Sequence, residues 1–382
     1  MTLLAIVSQQ IWPQVIAVAA ERPDAVVLLH TDNAAMSQRP AERLTHLLES
    51  QGLVRPGQVH LHPIPGADLR QIEDAIASVA DTLELGPDNC SMHLTGGTKL
   101  LSMAAVEWCR NCGNPSFYID GPAGRQLIVP FHFEAGRIVQ KPAKSIPPDT
   151  TNAIDPLALL KCQIDAEDVT HDGQTLALSD TGRQRPLSTL LQLLEQARDR
   201  PPEKAFHLIA PLLVIQGPSP EPREGDLLEL ATAFAVLKSG PTRVQRGVVL
   251  MSRNRRNAIN DSGELDLVFN WNGRLWIVDC KDRIDAEDRV GRLRSQLLSA
   301  GNIAPRVSQL LDRLAGELKD KELKTLKEDL AALADGGGLW GKALIVRREK
   351  LPPQAEDYAR TRKLAVVLAD QLHLQLPGIL SS

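Results

Sequence analysis

Residues 264–281 place two aspartates, a glutamate and a lysine where they can act on one ion. The stretch reads Glu264-Leu265-Asp266-Leu267-Val268-Phe269-Asn270-Trp271, then Asn272-Gly273, then Arg274-Leu275-Trp276-Ile277-Val278-Asp279-Cys280-Lys281. Asn-Gly between two β-rich runs is the strongest short-range signal for a two-residue type I′ hairpin. With Trp271 and Arg274 flanking the turn, Asp266 falls opposite Asp279 and Glu264 opposite Lys281. Side chains alternate with period two, so the spacing predicts all four on one face. Leu265, Leu267 and Phe269 then share the other face with Cys280, Val278 and Trp276, which reads as core.

Two carboxylates facing each other at roughly 5 Å repel and weaken a sheet unless positive charge lies between them. A hard divalent cation supplies it, since Mg²⁺ is held by one or two carboxylates and keeps waters for chemistry. The plain alternative is a solvated acidic rim with one Glu–Lys pair. Against it, the acids stand inside the runs, beside Val268, Leu275 and Ile277, where a bland strand carries apolar residues. Convergent polar groups in an apolar setting favour the metal reading. Upstream, 226–238 reads as an apolar helix with Glu229 as its only interior charge. Unpaired burial of such a group is costly, although the helical wheel also allows Glu229 to face outward.

The pattern Asp266…Asp279-x-Lys281 resembles the PD-(D/E)xK core of restriction-endonuclease-like nucleases. That resemblance implies that Asp266 and Asp279 hold Mg²⁺ or Mn²⁺ and that Lys281 positions water and neutralises charge on the phosphate. It also implies Glu229 as a further metal ligand and Glu264 as a member of the catalytic set. Asp279 stands where many relatives carry Glu, and the shorter arm still reaches a metal.

The second chemical signal lies in the first third of the chain. Leu3–Val7, Ala25–His30, Val59–Ile64 and Ser91–Leu94 read as strands, separated by helical runs ending at Ala20 and spanning Ala41–Ser50 and Leu69–Leu83. Such alternation predicts a mostly parallel sheet with helices on both faces, and ligands bind beyond the carboxyl ends of its strands. Three polar turns meet there: Ser8-Gln9-Gln10, Thr31-Asp32 and Thr95-Gly96-Gly97-Thr98-Lys99. The glycines let backbone amides approach an anion, and the helix opening near Leu100 points its positive end at it. A strand-to-helix turn needing glycine for geometry alone is the competing reading. No GxGxxG or GxxxxGK[ST] occurs at these turns, which argues against dinucleotide and P-loop binding.

The run Met92-His93-Leu94-Thr95-Gly96-Gly97-Thr98-Lys99-Leu100-Leu101-Ser102 is similar to the TGGTK motif of CARF (CRISPR-associated Rossmann fold) sensor domains, and the Ser8-Gln9-Gln10 loop fits the same pattern. With both motifs in this order, the chain resembles the CRISPR ancillary nucleases that cyclic oligoadenylates activate. The resemblance implies a homodimer whose paired sensor domains enclose one cyclic oligoadenylate, most often the tetra-adenylate. Ser8, Gln9, Gln10, Thr31, Asp32 and Thr95 to Lys99 would line that pocket. The nuclease domains would cut DNA, RNA or both in type III CRISPR antiviral defence. The expected fold is α/β throughout: a Rossmann-like parallel-sheet sensor domain over 1–145, a connecting helical region over 146–219, and a restriction-endonuclease-like α/β domain over 220–382. A regulator that senses the cyclic nucleotide and binds nucleic acid without cutting it is the alternative, and a sensor that degrades its own activator is a third.

Composition agrees with this division. The 382 residues carry a net charge of -4, and 3% are aromatic, which disfavours base-stacking platforms. Basic residues number 11 against 14 acidic over 1–145, but 26 against 23 over 220–382. The positive balance thus accompanies the hairpin, and Arg243, Arg246, Arg253, Arg255 and Arg256 precede it as candidate contacts to a phosphate backbone. Taken alone, that run reads equally as a solvated loop. Five scattered cysteines, no basic leader and no apolar run near the roughly 20 residues of a membrane span predict a reducing, cytoplasmic setting. Gly336 to Lys342 imitates a P-loop, but Ala343–Val346 reads as a strand where a helix is required. Residues 290–333 read as charged helix and Tyr358–Leu368 as a closing helix.

Overall fold

In the computed structural model of the chain, the described residues are 1–121, 126–134, 136–163, 166–170, 173–197, 200–218, 222, 225–252, 263–281, 307, 309–311, 313, 324, 341–348 and 350–381. The predicted helix over 290–333 and the Gly336 loop lie almost wholly outside them.

The first sheet is built from β1 (Thr2–Ile6), β2 (Ala25–His30), β3 (Val59–Pro63), β4 (Cys90–His93) and β5 (Ser116–Asp120), all parallel, in the order β3-β2-β1-β4-β5. Between them run α1 (Trp12–Glu21), α2 (Arg39–Ser50), α3 (Leu69–Thr82) and α4 (Lys99–Cys112). Strand β1 is apolar at every position after Thr2 because both faces are covered. Leu3, Ala5 and Val7 pack with α1 and α2, whereas Leu4 and Ile6 pack with α3 and α4. An antiparallel extension, unforeseen in the sequence, follows: β6 (Gln126–Glu134) pairs with β5, and β7 (Arg137–Gln140) and β8 (Lys144–Ile146) pair with β6.

The second sheet starts earlier in the chain than the sequence indicated. After α5 (Pro156–Gln163) come β9 (Ala166–Thr170), β10 (Gln174–Leu178), α6 (Asp180–Gln184), α7 (Thr189–Ala197), α8 (Pro202–Ile209) and β11 (Leu213–Gln216). Then follow α9 (Asp226–Lys238), β12 (Val244–Ser252), β13 (Gly263–Trp271), β14 (Arg274–Lys281), β15 (Lys342–Arg347), α10 (Pro353–Thr361), β16 (Ala365–Leu368) and α11 (Leu372–Ser381). The strand order is β11-β10-β12-β13-β14-β15-β16, with β9 also on β12. Among the described residues, 146–219 therefore hold four α-helices and also give this sheet three strands, because short β segments found partners far along the chain. Tyr358–Leu368 is not one helix. Lys363, at φ 57, ends the helical run, and Ala365–Leu368, with two β-branched valines, joins the sheet beside β15.

The turn of the β13–β14 hairpin is also where the two domains meet. Asn272 (φ 51) and Gly273 (φ 70) have the left-handed backbone of a type I′ turn. Gln126 Nε2 donates to Gly273 O at 3.0 Å, and Asn272 N donates to Asn152 Oδ1 at 2.9 Å. Asn270 Nδ2 donates to Thr151 O and to Ile154 O. One apolar cluster runs from Leu3, Val26 and Leu44 through Leu159 and Leu160 to Val268, Ile277 and Ile345, so helix α5 is packed between the two sheets.

Beneath the Thr95 loop, His93 is fully buried, stacked on Phe117 with centroids 5.1 Å apart, and neither ring nitrogen has a hydrogen-bond partner among the described residues. Burial lowers its pKa to about 3. The folded chain therefore holds a neutral ring while the unfolded chain takes a proton near pH 6.5. This stabilising difference is full above pH 6.5 and is lost as pH falls from there towards 3, amounting to about 2 kcal/mol by pH 5. His93→Leu is expected to flatten the loss of urea-unfolding free energy between pH 7 and pH 5 relative to the wild type; an unchanged slope contradicts the assignment.

Candidate functional site

The hairpin register is the one its turn dictates: Trp271 pairs with Arg274 and the ladder continues to Leu267 with Val278. Asp266 and Asp279 are the next residues on each strand. There the Asp266 side chain enters the ladder, with Oδ2 accepting from Cys280 N at 2.5 Å. Lys281 Nζ stands 2.8 Å from Asp279 Oδ1 along its own strand, and both side chains are mostly covered. Burial first, then the charges of Asp279 and Glu229, push the Asp266 carboxyl well above the usual carboxylate range, against the opposing pull of the Cys280 amide and Lys281. Such a group loses its proton readily only when positive charge approaches it.

One predicted face does not hold along its whole length. Leu267, Phe269, Trp276, Val278 and Cys280 pack together against α9, but Leu265 lies in the other cluster with Val248, its partner on β12. Gly247, at φ 66, stands between Arg246, which turns to α9, and Val248, which turns away. Strict alternation is broken at this point, where β12 passes Asp266. Glu264, further back on β13, is exposed, lies opposite Val249 of β12, and its charge bears on Glu229.

Helix α9 carries the further acid. Its residues are apolar nearly all round because it is covered on most sides, and its first turn bears Asp226 and Glu229. Neither is left uncompensated. Arg246 of β12, only 7% exposed, donates from Nε to Glu229 Oε2 at 2.6 Å, from Nη2 to Asp226 Oδ1 at 2.5 Å and from Nη1 to Gln174 Oε1 at 2.8 Å. Burial raises the Glu229 pKa while Arg246 opposes that rise. Of the arginines expected to meet phosphate, Arg246 is thus buried among acids, and Arg243 pairs with Asp155 at 3.3 Å. Arg253, Arg255 and Arg256 lie outside the described residues.

Among the described residues, no three His, Cys, Asp or Glu side chains are grouped to hold a metal by themselves. Two carboxylates, Asp266 and Asp279, are a donor set that would suit a hard cation retaining most of its waters. The residues fit such an ion: among the described residues, the Cys280 amide and Lys281 are what lower the raised Asp266 pKa.

The second polar site lies at the carboxyl ends of β1, β2 and β4. Thr95 is buried, and its Oγ1 accepts from Ile119 N at 2.6 Å. Gly96 and Gly97 take φ 139 and 70, and Thr98 caps α4 by accepting from Leu101 N. Lys99, Thr98, Gln9 and Asp32 are exposed at the rim, Ser8 and Gln10 are half-buried, and Thr31 is covered. Two fixing residues were missed in the sequence. Gln14 Nε2 donates to Ile6 O at 2.7 Å and to Thr95 O at 3.0 Å, tying the glycine loop to β1. Ser37 Oγ accepts from Thr31 N and donates to Val7 O. The signal for Gln14 was legible, a polar residue in a helix that is otherwise apolar up to its last residue, Glu21.

The fold is thus two α/β units, a Rossmann-like parallel sheet with an antiparallel extension followed by a second mixed sheet that carries two aspartates and a lysine at the end of one hairpin. No protein-family model and no curated protein matches the chain. Solved structures do share the fold. Can2 from Sulfobacillus thermosulfidooxidans, solved with cyclic tetra-adenylate, superposes with a TM-score of 0.56 at 16% identity, over 100% of this chain and 97% of that one. Protein VC1899 from Vibrio cholerae gives 0.58 at 15% identity, over 100% and 97%. A type III CRISPR defence DNA nuclease activated by cyclic oligoadenylate gives 0.52 at 19% identity, over 92% of this chain and 46% of that one. The chain therefore shares the two-unit α/β fold of these structures, the fold class anticipated from its sequence.

A side chain at Gly96 would run into Gln14 Nε2 and the Ile6 carbonyl, at a φ that L residues rarely adopt. Gly96→Ala is expected to destabilise the first domain by about 2–4 kcal/mol in urea unfolding. A loss below about 0.5 kcal/mol contradicts this loop geometry.

Proposed function

We propose that the protein is a nuclease switched on by a cyclic oligoadenylate, hydrolysing phosphodiester bonds of DNA or RNA with Mg²⁺ or Mn²⁺ in type III CRISPR defence. The observation that carries this reading is the convergence of Asp266, Asp279 and Lys281 at the end of the hairpin. Binding a polyanion requires no buried pair of carboxylates, and such a pair repels phosphate, so this centre favours cleavage over the regulator reading. Asp266 and Asp279 would hold the ion, which when bound supplies Lewis-acid stabilisation and a more acidic water. The Cys280 amide orients Asp266. Lys281, held by Asp279, keeps a positive charge where the phosphate must sit and steadies charge that develops there. The neighbouring apolar strands exclude bulk water and strengthen these interactions.

On the sensor side, Ser8, Gln9, Gln10, Thr31, Asp32 and the Thr95 to Lys99 loop would receive the activator, whose phosphates suit the glycine loop, the N-terminus of α4 and Lys99. A ring of identical units suits a two-fold pair of sensor domains, and the homodimer is part of the proposal. Met36 and Met103, exposed at 49% and 57%, leave apolar surface near this rim for such a partner.

The test is cleavage of single- and double-stranded DNA and of RNA, with and without cyclic tetra-adenylate, in Mn²⁺ and then EDTA. Cleavage is expected only with activator and metal. Lys281→Ala is expected to lose it by about 10²-fold or more while activator affinity, measured by calorimetry, is retained. Full cutting by that variant refutes the assignment, and activator binding without any cutting supports the regulator instead.

Coupling between the sites has a direct physical route. Thr95 holds Ile119 of β5, β5 pairs with β6, and Gln126 at the start of β6 grips the turn of the catalytic hairpin. The double variant Gln126→Ala/Asn152→Ala is expected to bind activator normally while the stimulated rate falls about tenfold. Undiminished stimulation would remove this route.

A further inference from the structure

The charge of Glu229 bears on Asp266, yet Glu229 belongs to no group able to hold a metal among the described residues. The reason is its partner. Arg246 is fixed from three directions: Asp226 and Glu229 lie three residues apart on α9, and Gln174 of β10 accepts on the remaining side. Gln174 is itself anchored, its Nε2 donating to Pro218 O at 2.8 Å. A planar guanidinium bound in this way has little freedom to turn, and it commits one Glu229 oxygen outright.

We propose that Arg246 is a positioning residue that withholds Glu229 from the metal, keeping Asp266 and Asp279 as the protein's ligands and leaving the remaining coordination to water and phosphate. This rests on the metal-dependent reading above. A third carboxylate on the ion would bind it more tightly but would take a place that water or substrate needs. Arg246 thus sets how tightly and how openly the ion is held, without touching substrate.

The measurement is Mn²⁺ affinity of the full chain by electron paramagnetic resonance, which does not depend on cutting. Arg246→Gln releases Glu229 and removes a nearby positive charge, so Mn²⁺ is expected to bind about tenfold more tightly while activator-dependent cleavage falls. Arg246→Lys keeps the charge and is expected to lie between the two. Adding Glu229→Gln to Arg246→Gln is expected to return the affinity to within about threefold of the wild type. A structural role alone would lower stability without tightening the metal. Unchanged or weaker Mn²⁺ binding by Arg246→Gln overturns the proposal. Because that variant removes a buried ion pair and can fail to fold, Glu229→Gln alone provides a second test: affinity within about twofold of wild type sustains the proposal, and a loss beyond about tenfold makes Glu229 a ligand and overturns it. A wild-type chain that binds no Mn²⁺ at millimolar concentration overturns the metal-dependent reading together with this one. Metal binding by the wild type with the wrong response in the variants overturns this one alone.

Discussion

Repulsion between carboxylates in a poorly solvated place is the constraint around which the second domain is arranged. Asp266 is pushed towards its protonated form by burial and by two neighbouring acids, and each nearby feature answers that charge. The Cys280 amide hydrogen-bonds Asp266, Lys281 pairs with Asp279, and Arg246 carries Glu229 and Asp226. Burial of charge is tolerated only when it is paired or serves a ligand. Arg246 and Lys281 offset part of the charge of Asp226, Glu229, Asp266 and Asp279.

The same hairpin has a second task at its other end. Its turn is held by side chains of the first domain, and the face of β13 and β14 carrying Val268 and Ile277 belongs to an apolar cluster that reaches the first sheet. A paired two-stranded ribbon transmits displacement along its length because its ladder resists slippage once register is fixed. The acids and the interdomain contacts therefore lie on one stiff element. The Thr95 loop thereby has a mechanical connection to the acids through β5, β6 and the hairpin turn.

Much of this was legible in residue order. Asn272-Gly273 dictated the turn, and with it the register that puts Asp266 next to Asp279. Alternating strand and helix patterns gave the first sheet, and the Thr95 to Lys99 run gave its polar edge. What escaped reading depended on distant partners. Strands β9 to β11 are only four or five residues long, and each is a strand only because β10 or β12 lies beside it. Ala365–Leu368 left the expected closing helix for the same reason. Leu265 changed sides because Gly247, on another strand, interrupted the alternation next to Asp266.

Local chemistry thus determined the turn, the register and the identity of the charged groups, since these depend on neighbours within a few residues. Tertiary structure decided which charges meet. The sequence grouped Arg246 with four other arginines as a surface for phosphate, whereas folding buried it between Asp226, Glu229 and Gln174. It offered Glu229 as a metal ligand, and packing pairs that carboxylate with Arg246; it set Glu264 opposite Lys281, and on the other side of β13 the ladder places Glu264 against Val249. Periodicity assigns a side chain to a face, but only the approach of a second element determines what that face touches.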